Sequence, residues 1–192
     1  MSVVGFRARN HPQQVRTSGA MPDVDDRAIT HEDFAPLHQR FAFTVDAAAT
    51  AANARLPRFW TAEDDGLRQP WAGERVWCNP PYSYPNIPRW IRKAWAERDA
   101  ALIVMLVPAN RTEQTWWQAA VEPYRDRPGG SLRVEFLPGR MRFLVPGQLV
   151  IGANERPPFG CCLLIWDGAH ADEPPADWQA LPGQEPLFEV TS

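Results

Sequence analysis

The chain has 192 residues, enough for one domain with a full core and cramped for two. Its 44% hydrophobic and 22% charged content are ordinary globular values, and a formal charge of −3 denies it the broad positive field of a non-specific nucleic-acid binder. No apolar stretch approaches the roughly 20 residues of a bilayer span and the N-terminus carries no apolar signal core, so a cytoplasmic protein without membrane contact is expected.

Residues 1–28 mix Gly, Pro, Gln and charges without periodicity and predict a flexible segment. Thr30 to Arg40 predicts a short helix, with Phe34, Leu37 and Phe41 spaced for one buried face. Phe41 to Val45 then reads as a buried strand ending at Asp46, and alanine-rich Ala47 to Arg55 as a helix stopped by Pro57. A polar loop with Glu63, Asp64, Asp65 and Gly66 leads to a strand at Val76 to Cys78. Pro88 suits the first turn of a helix running through Arg98, with Ile91 and Trp95 on one face. Leu102 to Val107 is apolar at every position, as a strand buried on both faces of a parallel sheet should be. A helix at Thr115 to Tyr124, a strand at Arg133 to Leu137 and a last core strand at Cys161 to Trp166 follow. Strands alternating with helices predict an α/β fold: a mostly parallel central sheet flanked by helices, over residues 29–167. Residues 168–192 form an acidic, Pro-rich tail. Cys78, Cys161 and Cys162 lie in apolar runs without zinc-like spacing, so buried reduced thiols are expected and no metal site.

The most informative word is Asn79-Pro80-Pro81-Tyr82, which leaves the Val76 to Cys78 strand. A specified four-residue word arises by chance in roughly one chain in a thousand of this size. It sets a side-chain amide, a rigid backbone and an aromatic face together, a group able to grip a planar amino-bearing ring. The bland alternative is a proline-rich turn. In an open α/β sheet ligands bind outside the carboxyl ends of the strands, where Asp46 and Asn79 both fall in this reading. An acidic group at Asp46 suits a ribose or an ammonium, though an Asp before three alanines is also a good helix cap. Asp65 is placed to meet an adenine ring or its amine, against the alternative of a solvated turn.

A longer series surrounds that word. It runs from Phe43-Thr-Val-Asp46-Ala-Ala48 and Asn53 through Phe59, Asp64-Asp65-Gly66-Leu67, Trp71 and Asn79 to Tyr82. It continues with Met105-Leu-Val-Pro108-Ala, Trp116-Trp117, Phe136-Leu-Pro-Gly139-Arg140, Phe143 and Pro158-Phe159. The series resembles the phage-type DNA N-6-adenine methyltransferase family over about Thr30 to Trp166. The resemblance implies a Rossmann-like S-adenosylmethionine-dependent fold, in a phage- or prophage-encoded enzyme of the host cytoplasm. Asn79, Pro80, Pro81 and Tyr82 would be the catalytic motif. Asp46, Ala47, Ala48, Asn53, Asp65 and Asn79 would hold the S-adenosylmethionine donor, through a first loop that lacks the usual glycine-rich turn. The partner implied is double-stranded DNA, with the target base flipped out of the stack. Arg111, Arg140 and Arg142 are candidates for phosphate contacts and Trp116 or Trp117 for stacking, in a monomer or weak dimer. The competing readings are the same fold acting on RNA adenine or a protein glutamine amide, and a DNA-binding remnant without turnover.

Overall fold

The computed structural model describes Asp25 and residues 28–83, 85–98, 102–141, 143–144 and 159–168. Most of the N-terminal segment, the acidic tail beyond Gly168 and Arg142 lie outside the described residues.

Helix α1, His31–Phe41, starts where the Thr30 hydroxyl accepts the Asp33 amide at 3.0 Å. Glu32 and Asp33 in its first turn and His38 and Arg40 in its last complement the helix dipole. It ends when Ala42 turns left-handed at φ 48°, its amide bonded to the His38 carbonyl at 2.8 Å. The expected strand from Phe41 therefore shrinks to β2, Val45–Asp46. A short strand β1, Ala28–Ile29, precedes α1 and pairs antiparallel with β6, Phe143–Leu144.

The main sheet adds β3 (Arg75–Cys78), β4 (Leu102–Pro108), β5 (Leu132–Phe136) and β7 (Cys161–Trp166), in the order β2-β3-β4-β7-β5. The β2/β3 and β3/β4 pairs are parallel, whereas β4/β7 and β5/β7 are antiparallel. This overturns the expected Rossmann-like, mostly parallel sheet. The sheet is mixed, and the described residues hold three helices: α1, α2 (Asn86–Ala96) and α3 (Thr115–Ala120). The physical reason is that a wholly apolar run reports burial on both faces and says nothing of strand direction. β7 is as apolar as β4, yet it runs against both neighbours.

Each face of the sheet carries its own core. Phe34 and Phe41 of α1 pack with Phe43, Trp77, Val104, Leu106, Leu163 and Ile165. On the other face Trp90, Ile91 and Trp95 of α2 and Trp116 and Trp117 of α3 cover Val76, Cys78, Ile103, Met105 and Val107. The period of two along β3 and β4 sorts the residues between the faces. All three cysteines are buried and free. α3 is shorter than expected because Pro123 lacks the amide that another turn would need.

Because β5 and β4 both run against β7, the carboxyl ends of β2, β3, β4 and β5 share one edge. Asp46, Asn79, Pro108 and Phe136 lie along it.

Ala42 holds a conformation that L-residues adopt at a cost and glycine adopts freely. Ala42→Gly should stabilise the protein by about 1 kcal/mol in urea denaturation. A loss of stability would show that the α1 terminus does not need the left-handed turn.

Candidate active site

Between β2 and β3 the chain leaves the sheet and returns beside Asp46. The Asp46 amide donates to the Arg58 carbonyl at 3.0 Å, and its carbonyl accepts the Trp60 amide at 2.9 Å. Residues 58–60 thus act as a makeshift strand, bridged in parallel at Asp46 and Phe59. The Ala47 amide bonds to the Trp77 carbonyl at 2.8 Å and the Ala49 amide to the Trp60 carbonyl at 3.1 Å. These amides are spent across the site, so the helix expected at Ala47 to Arg55 does not form. Local turns at Thr50 to Asn53 replace it, with Asn53 Oδ1 accepting the Thr50 amide at 2.7 Å.

Asp46 is 2% exposed. Its Oδ2 accepts the Arg55 amide at 3.0 Å, nine residues ahead and with no helix to cap. Oδ1 is buried and has no hydrogen-bond partner. Burial pushes this carboxyl up to about 6, while the Arg55 and Ala48 amides and the Arg55 charge pull the other way without cancelling it. Beside it is a cavity of about 10 Å³, bordered by Asp46, Ala48, Asn53, Arg55 and Asn79 among others.

A larger cleft of about 340 Å³ opens next door. The sequence-predicted Ala47, Ala48, Asn53, Asp65 and Pro81 line it, and Ala48 and Asn53 border both spaces. Its volume is in the range of small-molecule sites. Sequence reasoning missed Asp25, Trp60, Thr61, Asn86 and Arg89 on its walls. Asp65 sits in the loop at φ 50°, its carboxylate accepting the Leu67 amide at 3.2 Å. The next residue is decisive for shape. A Cβ on Gly66 would lie 2.2 Å from the Ala47 carbonyl oxygen and 2.9 Å from the Trp90 ring.

The motif is built tightly. Asn79 Oδ1 accepts the Tyr82 hydroxyl at 3.0 Å, and Arg111 Nη1 donates to the Tyr82 carbonyl at 3.0 Å. The Tyr82 ring meets Phe143 and Phe159 edge-on, at 6.2 and 6.4 Å between centroids. Burial pushes its phenol well above the ordinary value, so it stays a donor. Asp25 takes the Ser83 amide at 2.9 Å and the Ser83 hydroxyl, pinning the chain after the motif.

The other candidates scatter. Trp116 and Trp117 are buried, the Trp116 indole donating to Gln114 at 2.7 Å. Arg140 is exposed, just past a turn at Gly139 with φ 72°.

Residues 20–167 match the family described as DNA N-6-adenine-methyltransferase (Dam). The chain belongs to that family. The resemblance carried by the motif series is thereby borne out, and the matched residues include every candidate site position from Asp25 to Arg142. The chain is also similar to a DNA N-6-adenine-methyltransferase of Escherichia phage T1, with 30% identity over 118 residues. That stretch covers 60% of this chain and 45% of the relative, so the chain spans less than half of the relative's length. No helix among the described residues is long and apolar enough to cross a membrane.

Two outcomes test this geometry. A buried carboxyl raised to about 6 binds its proton more tightly folded than unfolded, so Asp46 lowers stability as pH rises from about 4 to 6 and no further above. Between pH 4 and pH 7 the unfolding free energy of Asp46→Asn should therefore gain up to about 3 kcal/mol on wild type. A difference that does not change with pH would mean that Asp46 is ionised freely in the fold. Gly66→Ala should cost about 1–3 kcal/mol by overpacking, read as a lower midpoint in thermal unfolding. An unchanged midpoint would rule out the close Ala47 approach.

Proposed function

We propose that this chain transfers a methyl group from S-adenosylmethionine to the N6 amino group of adenine in double-stranded DNA. One observation carries the reading: Asp46 and Asn79, at the ends of adjacent strands, border one small cavity beside a ligand-sized cleft. Family membership supplies the reaction class, which is what its description names.

The residues suit the donor. Asp46 Oδ1 is a buried acceptor lacking a partner, as a site for hydroxyl or ammonium hydrogens requires. The bare Gly66 brings the Ala47 backbone close to the cleft wall, and Asn53 and Asp65 add an amide and a carboxylate. Asp46, Ala47, Ala48, Asn53 and Asp65 would hold the donor, whose chemistry is to offer an electrophilic methyl on a sulfonium.

The remaining task belongs to the motif. The adenine amino lone pair is delocalised into the ring and is a poor nucleophile. The Asn79 side-chain oxygen and the Pro80 carbonyl would accept both amino hydrogens, drawing the nitrogen toward tetrahedral geometry and freeing its lone pair. Prolines 80 and 81 fix the backbone that presents these acceptors, so little entropy remains to be lost. The Tyr82 ring would hold the base by stacking once its hydroxyl leaves Asn79. A paired base cannot reach this edge, so the nucleotide is flipped out, which costs a few kcal/mol. Exposed Arg140, with Arg142 and the remaining donors of Arg111, would offset that cost on phosphates.

Incubation with labelled S-adenosylmethionine and unmethylated DNA, RNA or protein, followed by nucleoside and amino-acid analysis, tests the reading. Label is expected in N6-methyladenine from DNA; incorporation into RNA or glutamine instead would sink it. Asn79→Ala should be slower by about 10²–10³ while keeping donor affinity, since one positioned hydrogen-bonding group is lost. Near-normal turnover by that variant would remove the mechanism.

A further inference from the structure

The ends of β2, β3, β4 and β5 form one edge, and β5 finishes on it with an anomaly. Leu132, Val134 and Phe136 share a face of the strand by the period of two. Leu132 and Val134 are 1% and 8% exposed, but Phe136 is 57% exposed. It is the only large hydrophobic side chain exposed among the described residues. The cover does reach this register on the neighbouring strands: Cys162 opposite Phe136, and Val107 opposite Cys162, are fully buried. It stops short of the edge strand alone.

The mounting is rigid. Phe136 lies on the β5/β7 ladder, and the Leu137 amide continues it with a 3.0 Å bond to the Cys161 carbonyl. Three residues on, Gly139 turns left-handed at φ 72°, and Arg140 beyond it is exposed and makes no ion pair among the described residues. A fixed, solvent-facing aromatic four residues before an exposed guanidinium with no ion pair among the described residues matches a base stack flanked by phosphate. Asn79 extends β3 on the same edge, three strand spacings away, or about 14 Å at ~4.8 Å each. That span is close to the roughly 12 Å width of a major groove.

We infer that Phe136 is a wedge that enters the DNA base stack beside the nucleotide presented to Asn79. The inference rests on the base-flipping reading above and adds the group that holds the stack open. An apolar side chain between base steps unstacks them and fills the space that a departing base leaves.

Two measurements test it, and only one depends on methyl transfer. The first compares methylation rates on native plasmid DNA and on the same DNA heat-denatured to single strands. Phe136→Ala should lower the duplex-to-single-strand rate ratio at least tenfold, and Phe136→Trp should restore it. An equal loss on both substrates, or none on the duplex, would overturn the inference. The second is the linking number of a plasmid relaxed by a topoisomerase under saturating protein. Wild type should shift it and Phe136→Ala should not. A wild type that leaves the linking number unchanged overturns the wedge even if it methylates adenine; a shift that needs Phe136 upholds the wedge even if no methyl is transferred. If Phe136 instead docks another protein, neither readout moves.

Discussion

Asp46 is a carboxylate removed from water at the end of a strand, and three of its polar groups are committed to the chain that follows. Its amide and carbonyl bond to Arg58 and Trp60, and its side chain takes the Arg55 amide. Those bonds draw residues 55–60 back against β2 and force the intervening alanine-rich stretch outward as a loop. The cleft is the space which that loop encloses. One carboxylate oxygen is left without a donor, a state that burial makes costly and that a polar ligand relieves. The pressure raising the pKa of Asp46 and the pressure favouring a hydrogen-bonding guest are therefore one and the same.

A second constraint fixes the far wall. The Trp71 indole donates to the Gly66 carbonyl at 3.0 Å, and its ring stacks with Trp90 of α2 at 6.2 Å. Lys93, one turn further along α2, lies over the Trp71 ring at 5.5 Å and pairs with Glu97. The loop holding Gly66 and Asp65 is thus anchored on side chains that also belong to the core on the α2 face. The site and the fold share their packing. A substitution under the cleft, such as one at Trp71, disturbs both at once, so stability has to be measured beside any change in binding.

How much of this the sequence carried depends on what each residue reports. β4 and β7 were legible as strands because they are apolar throughout, and α1 because Phe34, Leu37 and Phe41 are spaced for one buried face. Strand direction was not legible, since the same composition serves β4 beside a parallel neighbour and β7 between two antiparallel ones. Helix propensity misled at Ala47 to Arg55, where tertiary bonds to Trp77, Trp60 and Asp46 consume the amides. Asn79 and Asp46 were legible through the motif and its position after a strand. Trp60 and Arg89 were not, because their place on the cleft comes from loop paths that no local pattern encodes. Phe136 entered the motif series without a role of its own, and only the extent of the cover over β5 singles it out.

The bond between Tyr82 and Asn79 sets the order of events in the proposed mechanism. The Asn79 oxygen that adenine would require in that mechanism is engaged by a hydroxyl at 3.0 Å, and the ring that would stack on the base is turned toward Phe143 and Phe159. Exchanging one hydrogen bond for another is nearly neutral, so the resistance to base entry comes mainly from unpacking that ring. Phe143 belongs to β6, which pairs with β1 directly ahead of α1, so the resistance is shared by a small sheet outside the main one. Arg111 meanwhile holds the Tyr82 carbonyl, and Asp25 holds the Ser83 amide. The ring can therefore turn while the backbone acceptor at Pro80 stays where it is. A site built this way keeps its acceptors aligned before the base arrives and yields only at one side chain, which suits a guest that has already lost its stacking and pairing on leaving the duplex.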